Sequence, residues 1–183
     1  AKLNSLQELL VEELKDLYDA EHQLLTATDP RGQAPVERYR AVLPFTLTDA
    51  QDRAIVEIDA DLGQTVPMQR LLQGDVGSGK TAVALYTLLR AVEAGRQGAL
   101  MAPTETLAEQ HFLTVEGLCT ELGVRVALLT SSLSARERRV VRQLVESGDV
   151  DIAVGTHALI QSDVRFADLA VAVVDEQHRF GVE

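Results

Sequence analysis

A glycine-rich stretch at residues 74–81 constrains the fold of this chain most. Its sequence, GDVGSGKT, fits the pattern G-x-x-x-x-G-K-[ST], in which a loop between a strand and a helix cradles phosphate groups. The flanking residues fit that context, because residues 71–73 predict a short strand and residues 82–90 predict a helix. The sequence therefore predicts a phosphate-binding loop, with a plain glycine-rich turn as the alternative.

The residue types in this loop suit a nucleotide with magnesium. Gly77 and Gly79 let backbone N–H groups approach phosphate oxygens without a Cβ in the way. Lys80 supplies positive charge to the terminal phosphates, and the Thr81 hydroxyl suits Mg²⁺, which takes few protein ligands. The predicted cofactors are ATP and Mg²⁺, and the predicted binding residues of the loop are Gly74, Gly77, Ser78, Gly79, Lys80 and Thr81.

Two adjacent carboxylates follow an apolar run at residues 169–174. That run lacks alternation, which is typical of a strand covered on both faces of a parallel sheet. Asp175 and Glu176 would lie at its carboxyl end, where open α/β sheets bind ligands. We expect Asp175 to serve the metal and Glu176 to activate the attacking water, with Lys80 as the third catalytic residue. A solvated Asp-Glu pair is the alternative.

The order of elements predicts an α/β fold. Strands are expected at residues 98–102, 124–129, 151–154 and 169–174, with helices of ten or more residues between them. Capping boxes, Thr48 with Gln51 and Ser134 with Glu137, open two of the helices. This alternation predicts a mainly parallel sheet flanked by helices on both faces.

Composition excludes several other classes of protein. The 183 residues carry a net charge of −11. The chain therefore lacks the basic surface typical of nucleic-acid-binding domains, and we expect it to bind DNA weakly. The single cysteine, Cys119, excludes an internal disulfide and favours a reducing, cytoplasmic location. No apolar run approaches the roughly 20 residues that a membrane helix needs.

The first 28 residues predict one amphipathic helix, which residues 29–40 link to a nucleotide-binding domain at residues 41–183. An isolated helix of this length is marginal, so its apolar face needs a partner. We expect this face to dock on the α/β domain or on another copy of the chain, and in the second case to support self-association through Leu6, Leu10, Leu14 and Leu17.

Several segments resemble motifs of RecG-type DNA helicases. Residues 43–51 are similar to the adenine-side motif and residues 67–73 lead into the phosphate loop as they do in that family. Similarity to motifs Ia, Ib and II is carried by residues 101–111, 154–161 and 175–182. The resemblance covers roughly residues 35–183. It implies the first RecA-like motor domain of a superfamily 2 helicase that acts in DNA recombination and repair.

The resemblance also implies roles for individual residues. Gln51 would read adenine, although it could instead only close its capping box, or do both. The residues implied to touch the nucleic-acid backbone are Pro103, Thr104, Thr156 and His157. Thr104 is also a plain N-cap for its helix. Ser131, where the family usually has glycine, and Thr106, where it has an aliphatic residue, depart from the pattern.

The sequence stops just past motif II, so the second motor domain with its arginine fingers and the wedge domain of the family fall outside it. An arginine finger can contribute roughly 10³–10⁵ in rate. We therefore expect nucleotide binding, negligible hydrolysis and no unwinding by this chain alone.

Residues 2–25 resemble a different family, the YciE-type ferritin-like stress proteins, which suggests a chimera. Glu21 would then be a candidate metal ligand. A bundle metal site needs carboxylates and Glu-x-x-His pairs from several helices, and the sequence has no such pair. The competing functions are thus an ATP-binding half of a helicase motor, a non-catalytic interaction module, and a ferritin-like metal-binding fragment as a distant third.

Overall fold

The computed structural model describes residue 32, residues 34–75 and residues 77–175. The predicted N-terminal helix, with Leu6, Leu10, Leu14, Leu17 and Glu21, lies outside these ranges, and so does Glu176. No helix of the described part is long and apolar enough to cross a membrane.

Helices and strands alternate along the described residues. The helices are α1 Pro35–Val42, α2 Asp49–Leu62, α3 Lys80–Glu93, α4 Glu105–Leu122 and α5 Ala135–Ser147. The strands are β1 Gln97–Met101, β2 Val126–Leu129, β3 Ile152–Gly155 and β4 Leu169–Val174, and a short 3₁₀ helix spans His157–Ile160. The α/β class predicted from the sequence is confirmed.

The four described strands form one parallel sheet in the order β2-β3-β1-β4. Alternate side chains point to opposite faces, as the two-residue period of a strand requires. Leu100 and Val154 join a core with helices α1 to α4 on one face, while Ala99 and Ala153 join a second core that includes Val145 of α5. The sheet is therefore covered on both faces, as predicted.

Local signals in the sequence set the ends of the helices. Both predicted capping boxes form, Thr48 with Gln51 at the start of α2 and Ser134 with Glu137 at the start of α5. Helices α4 and α5 end at Gly123 and Gly148, each in the left-handed conformation that favours glycine.

The strand predicted at residues 71–73 is wrong. These residues form no strand, and the Leu71 side chain is 76% exposed. Arg70, directly before them, forms ion pairs with Glu57 at 2.5 Å and Asp61 at 2.7 Å. These contacts hold the start of the segment against helix α2, and a run of only two leucines offers little apolar surface to oppose them.

The linker predicted over residues 29–40 does not extend to residue 40, because α1 begins at Pro35. Proline suits the first turn of a helix, since its missing N–H has no partner there in any case. Tyr39 anchors the helix: it is fully buried, its ring meets that of Tyr86 edge to face at 5.5 Å, and its hydroxyl donates to the Ala82 carbonyl. The aromatic packing and this buried hydrogen bond outweigh the linker-like composition of the preceding residues.

Candidate nucleotide site

Parallel pairing brings three segments that carry predicted site residues to one edge of the sheet. Met101, the last residue of β1, pairs with Gly155 of β3 and with Val174 of β4. The residues that follow these strand ends are Ala102, Thr156 and Asp175, so the segments predicted to touch DNA and to serve the metal leave the sheet side by side. Carboxyl ends of parallel strands are where open α/β sheets bind ligands.

The phosphate loop leads directly into helix α3. Gly79 is the N-cap of α3 and has a φ of +76°, a conformation that glycine adopts without strain. The Ser78 N–H donates to the Asp75 carbonyl at 3.0 Å, which closes a turn inside the loop. The Lys80 ammonium donates to the carbonyl oxygens of Gly74 and, at 3.1 Å, of Asp75, so its charge lies at the loop.

Gln51 joins helix α2 to the phosphate loop. Its Oε1 accepts a hydrogen bond from the Thr48 N–H at 2.8 Å, which closes the capping box. Its Nε2 donates to the carbonyls of Ser78 and Gly79, both at 3.2 Å. Any Cβ at position 79 would lie 2.2 Å from that nitrogen, so this contact requires glycine. The adenine contact implied for Gln51 remains a prediction, and its structural role now includes the loop as well as the cap.

An apolar cavity of about 300 Å³ lies beside the loop. Its walls come from three parts of the chain: the segment before α2, the first turns of α3, and the middle of α4. The residues that line it include Pro44, Phe45, Thr81, Ala82, Val115 and Leu118. The volume falls at the lower end of the range for small-molecule pockets, and the nearly apolar lining suits a flat, uncharged ring.

Asp175 is held in place by two contacts with the segment that begins at β1. Its backbone N–H donates to the Met101 carbonyl at 2.8 Å, which extends the pairing of β1 with β4 by one step. One of its carboxylate oxygens, Oδ2, lies 2.7 Å from Nε2 of His111 on helix α4. Sequence reasoning missed His111, since it treated residues 101–111 only as a motif for contacting DNA.

The residues implied to contact nucleic acid differ in exposure. Pro103, Thr104 and His157 are exposed. Thr156 is only 2% exposed, and its hydroxyl accepts from the Ala158 N–H at 3.4 Å, so it caps the 3₁₀ helix. Thr104 caps α4 by accepting from the Leu107 N–H at 3.3 Å. Both threonines therefore cap helices, and their contacts with DNA remain predictions.

Ser131, where the sequence departs from the family pattern, contacts the start of α4. Its hydroxyl donates to the Glu105 carboxylate at 2.5 Å, and the Ser132 N–H donates to the same oxygen at 3.0 Å. These hydrogen bonds hold the pKa of Glu105 below its usual range, with the Ser131 hydroxyl as the largest cause. The loop after β2 is therefore tied to the segment that carries Thr104.

The metal predicted from the sequence is Mg²⁺. Within the described residues, no group of three or more His, Cys, Asp or Glu side chains could hold a metal ion. Mg²⁺ does not need such a group, because it keeps several waters and is usually bound by one or two protein oxygens and substrate phosphates. The Thr81 hydroxyl and the Asp175 carboxylate remain the oxygens predicted for this role from the sequence.

Comparison with known proteins identifies helicases as relatives of this chain. A sequence model described as "DEAD/DEAH box helicase" matches residues 48–183. The "ATP-dependent DNA helicase RecG" of Bacillus subtilis is 53% identical over 146 residues, which is 80% of this chain and 21% of the relative. The protein of the same name from Aquifex aeolicus is 54% identical over 140 residues, 76% of this chain and 18% of the relative. The chain thus spans about a fifth of the length of these relatives.

Solved structures show the same similarity. A RecG structure bound to a three-way DNA junction superposes with a TM-score of 0.74 and 40% sequence identity, covering 97% of this chain and 25% of that one. A hypothetical ATP-dependent RNA helicase from Sulfolobus tokodaii superposes with a TM-score of 0.58 at 18% identity, covering 78% of this chain and 40% of that one. The second likeness shows the fold alone.

Proposed function

Because the chain belongs to the DEAD/DEAH box helicase family, whose members use ATP, we propose that it binds MgATP as one half of a DNA-helicase motor of RecG type. The observation that carries this proposal is the phosphate loop in its full setting. The loop opens helix α3, Gln51 holds it, an apolar cavity adjoins it, and Asp175 follows strand β4 at the carboxyl end of the sheet.

Each part of the site has a task toward the nucleotide. Backbone amides at the start of α3 and the Lys80 ammonium bind the phosphates. The apolar cavity lined by Phe45 receives the base. Thr81 and Asp175 would hold the magnesium, which would neutralise charge on the phosphates when bound. Glu176, which lies outside the described residues, is proposed from the sequence to orient the attacking water.

We further propose that DNA is the partner of the neighbouring surface. RecG in the solved complex is bound to a three-way junction, and the exposed Pro103, Thr104 and His157 lie after strands of the same edge. Phosphate contacts dominate such binding and weaken with salt. With a net charge of −11, this chain should bind DNA weakly and should lose that binding steeply between low and physiological salt.

Calorimetric titration with ADP and ATP, with and without Mg²⁺, tests nucleotide binding. Removing the Lys80 ammonium in Lys80→Ala should weaken binding about tenfold to a hundredfold, as expected for loss of a charge-assisted contact to phosphate. Arg139→Ala is the matched control, because it removes one positive charge from an exposed position on α5. A folded wild-type chain that binds neither nucleotide would overturn the proposal and favour an interaction module without a functional nucleotide pocket.

A further inference from the structure

We propose that His111 is a positioning residue that holds the Asp175 carboxylate in the orientation that receives Mg²⁺. The inference rests on the proposed nucleotide function and deepens it, because it names a residue on helix α4 that acts on the metal through Asp175. The contact joins residues 64 positions apart in the chain.

The geometry gives this contact a direction. A carboxylate oxygen only accepts, so the ring nitrogen His111 Nε2, 2.7 Å away, is the donor. Using Oδ2 in this way leaves Oδ1 of Asp175 for the metal or for one of its waters. The side chain of His111 is 19% exposed and that of Asp175 is 30% exposed, so the pair is partly shielded from water. A hydrogen bond to an ionised group in such a setting is stronger than one between neutral groups.

The fold fixes both partners before any metal arrives. The backbone of Asp175 is bonded to Met101 at the end of β1, and His111 lies in the second turn of α4. Only residues 102–104 separate that strand from that helix. The strand end and the helix that follows it therefore constrain the backbone and the side chain of Asp175 together.

Partners that orient a metal ligand typically change metal affinity roughly tenfold to a hundredfold when they are removed. We therefore expect His111→Ala to raise about tenfold the Mg²⁺ concentration at which ATP affinity is half-maximally increased. ATP affinity in EDTA should stay at the wild-type value, because the phosphate loop and the apolar cavity do not involve His111.

Conservative variants separate positioning from a merely structural role. Glutamine can place an amide N–H close to the position of Nε2, whereas asparagine reaches only to the position of Nδ1. His111→Gln should restore the wild-type Mg²⁺ dependence, and His111→Asn should behave like His111→Ala. Glu116→Gln, at an exposed position on the same helix, is the control. Circular dichroism and thermal unfolding without nucleotide would verify that each variant is folded.

The outcomes distinguish this inference from the function on which it rests. If the wild-type chain does not bind ATP at any Mg²⁺ concentration, the proposed function fails first. If it binds ATP and all three His111 variants share the wild-type Mg²⁺ dependence, His111 does not position Asp175. If His111→Gln and His111→Asn raise the required Mg²⁺ concentration equally, the ring is needed for packing and the positioning role is rejected.

Discussion

Replacing Gln51 with glutamate tests whether this side chain supports the phosphate loop. Gln51→Glu keeps the shape of the side chain and an oxygen that can accept from the Thr48 N–H. It removes both N–H donors to the Ser78 and Gly79 carbonyls and puts an oxygen where Nε2 stands, 3.2 Å from each of them. The variant therefore turns two attractive contacts into repulsive ones while the capping box can remain.

The structure sets the size of the effect. Each hydrogen bond contributes roughly 0.5–1.5 kcal/mol, and Gln51 is only 8% exposed, so the introduced carboxylate is poorly solvated. We expect a loss of about 2–4 kcal/mol in the free energy of unfolding at pH 8. Thr48→Ala removes only one cap hydrogen bond, which the Thr48 hydroxyl accepts from the Gln51 N–H, and should cost about 1 kcal/mol.

Urea unfolding at two pH values is the assay. Burial and the two carbonyls should raise the pKa of the introduced carboxyl in the folded state, so the folded chain would bind more protons than the unfolded chain. Its stability should then rise relative to wild type as pH falls from 8 to about 5.5. A Gln51→Glu chain within about 0.5 kcal/mol of wild type at both pH values would refute a loop-supporting role. If such a chain lost only ATP affinity, adenine recognition would be favoured.

Three further predictions concern Gly155, Cys119 and Glu105. Gly155→Ala would put a Cβ 2.1 Å from the Leu129 carbonyl oxygen, so it should lower stability by about 1–3 kcal/mol in thermal unfolding, and an unchanged midpoint would contradict the tight strand contact. Burial raises the pKa of the Cys119 thiol to about 12, so iodoacetamide at pH 8 should label the chain slowly unless urea is present. The lowered pKa of Glu105 means that its hydrogen bond from Ser131 stabilises the chain at neutral pH and is lost in acid. The difference in melting temperature between wild type and Glu105→Gln should therefore shrink as pH falls through the range in which Glu105 titrates.

Helix ends were predictable because their signals are local. Both capping boxes occupy four consecutive residues each, and the glycines after α4 and α5 stand directly at the helix ends. The four strands of the sheet were predictable for a similar reason, since short apolar runs separated by helices leave little choice in an α/β chain. Such signals need no knowledge of which elements are neighbours in space.

Residues 35–40 and 71–73 were mispredicted because their state depends on distant contacts. Tyr39 makes α1 part of the core through Tyr86 and the Ala82 carbonyl, which lie more than 40 residues away. Arg70 holds its segment against α2 through Glu57 and Asp61. Composition favoured a linker in one case and a strand in the other, and tertiary packing decided against both.

The contact between His111 and Asp175 shows why part of the site could not be found from the sequence. It depends on the order β2-β3-β1-β4, which places the last strand beside the first. If β4 paired with β3 instead, the carboxylate would follow a different strand and the second turn of α4 would face another side chain. The sequence predicted a role for Asp175 from its position after an apolar run, and the structure places it directly after β4. His111 could be identified as its partner only from the order of the strands, which places the end of β1 and helix α4 next to β4.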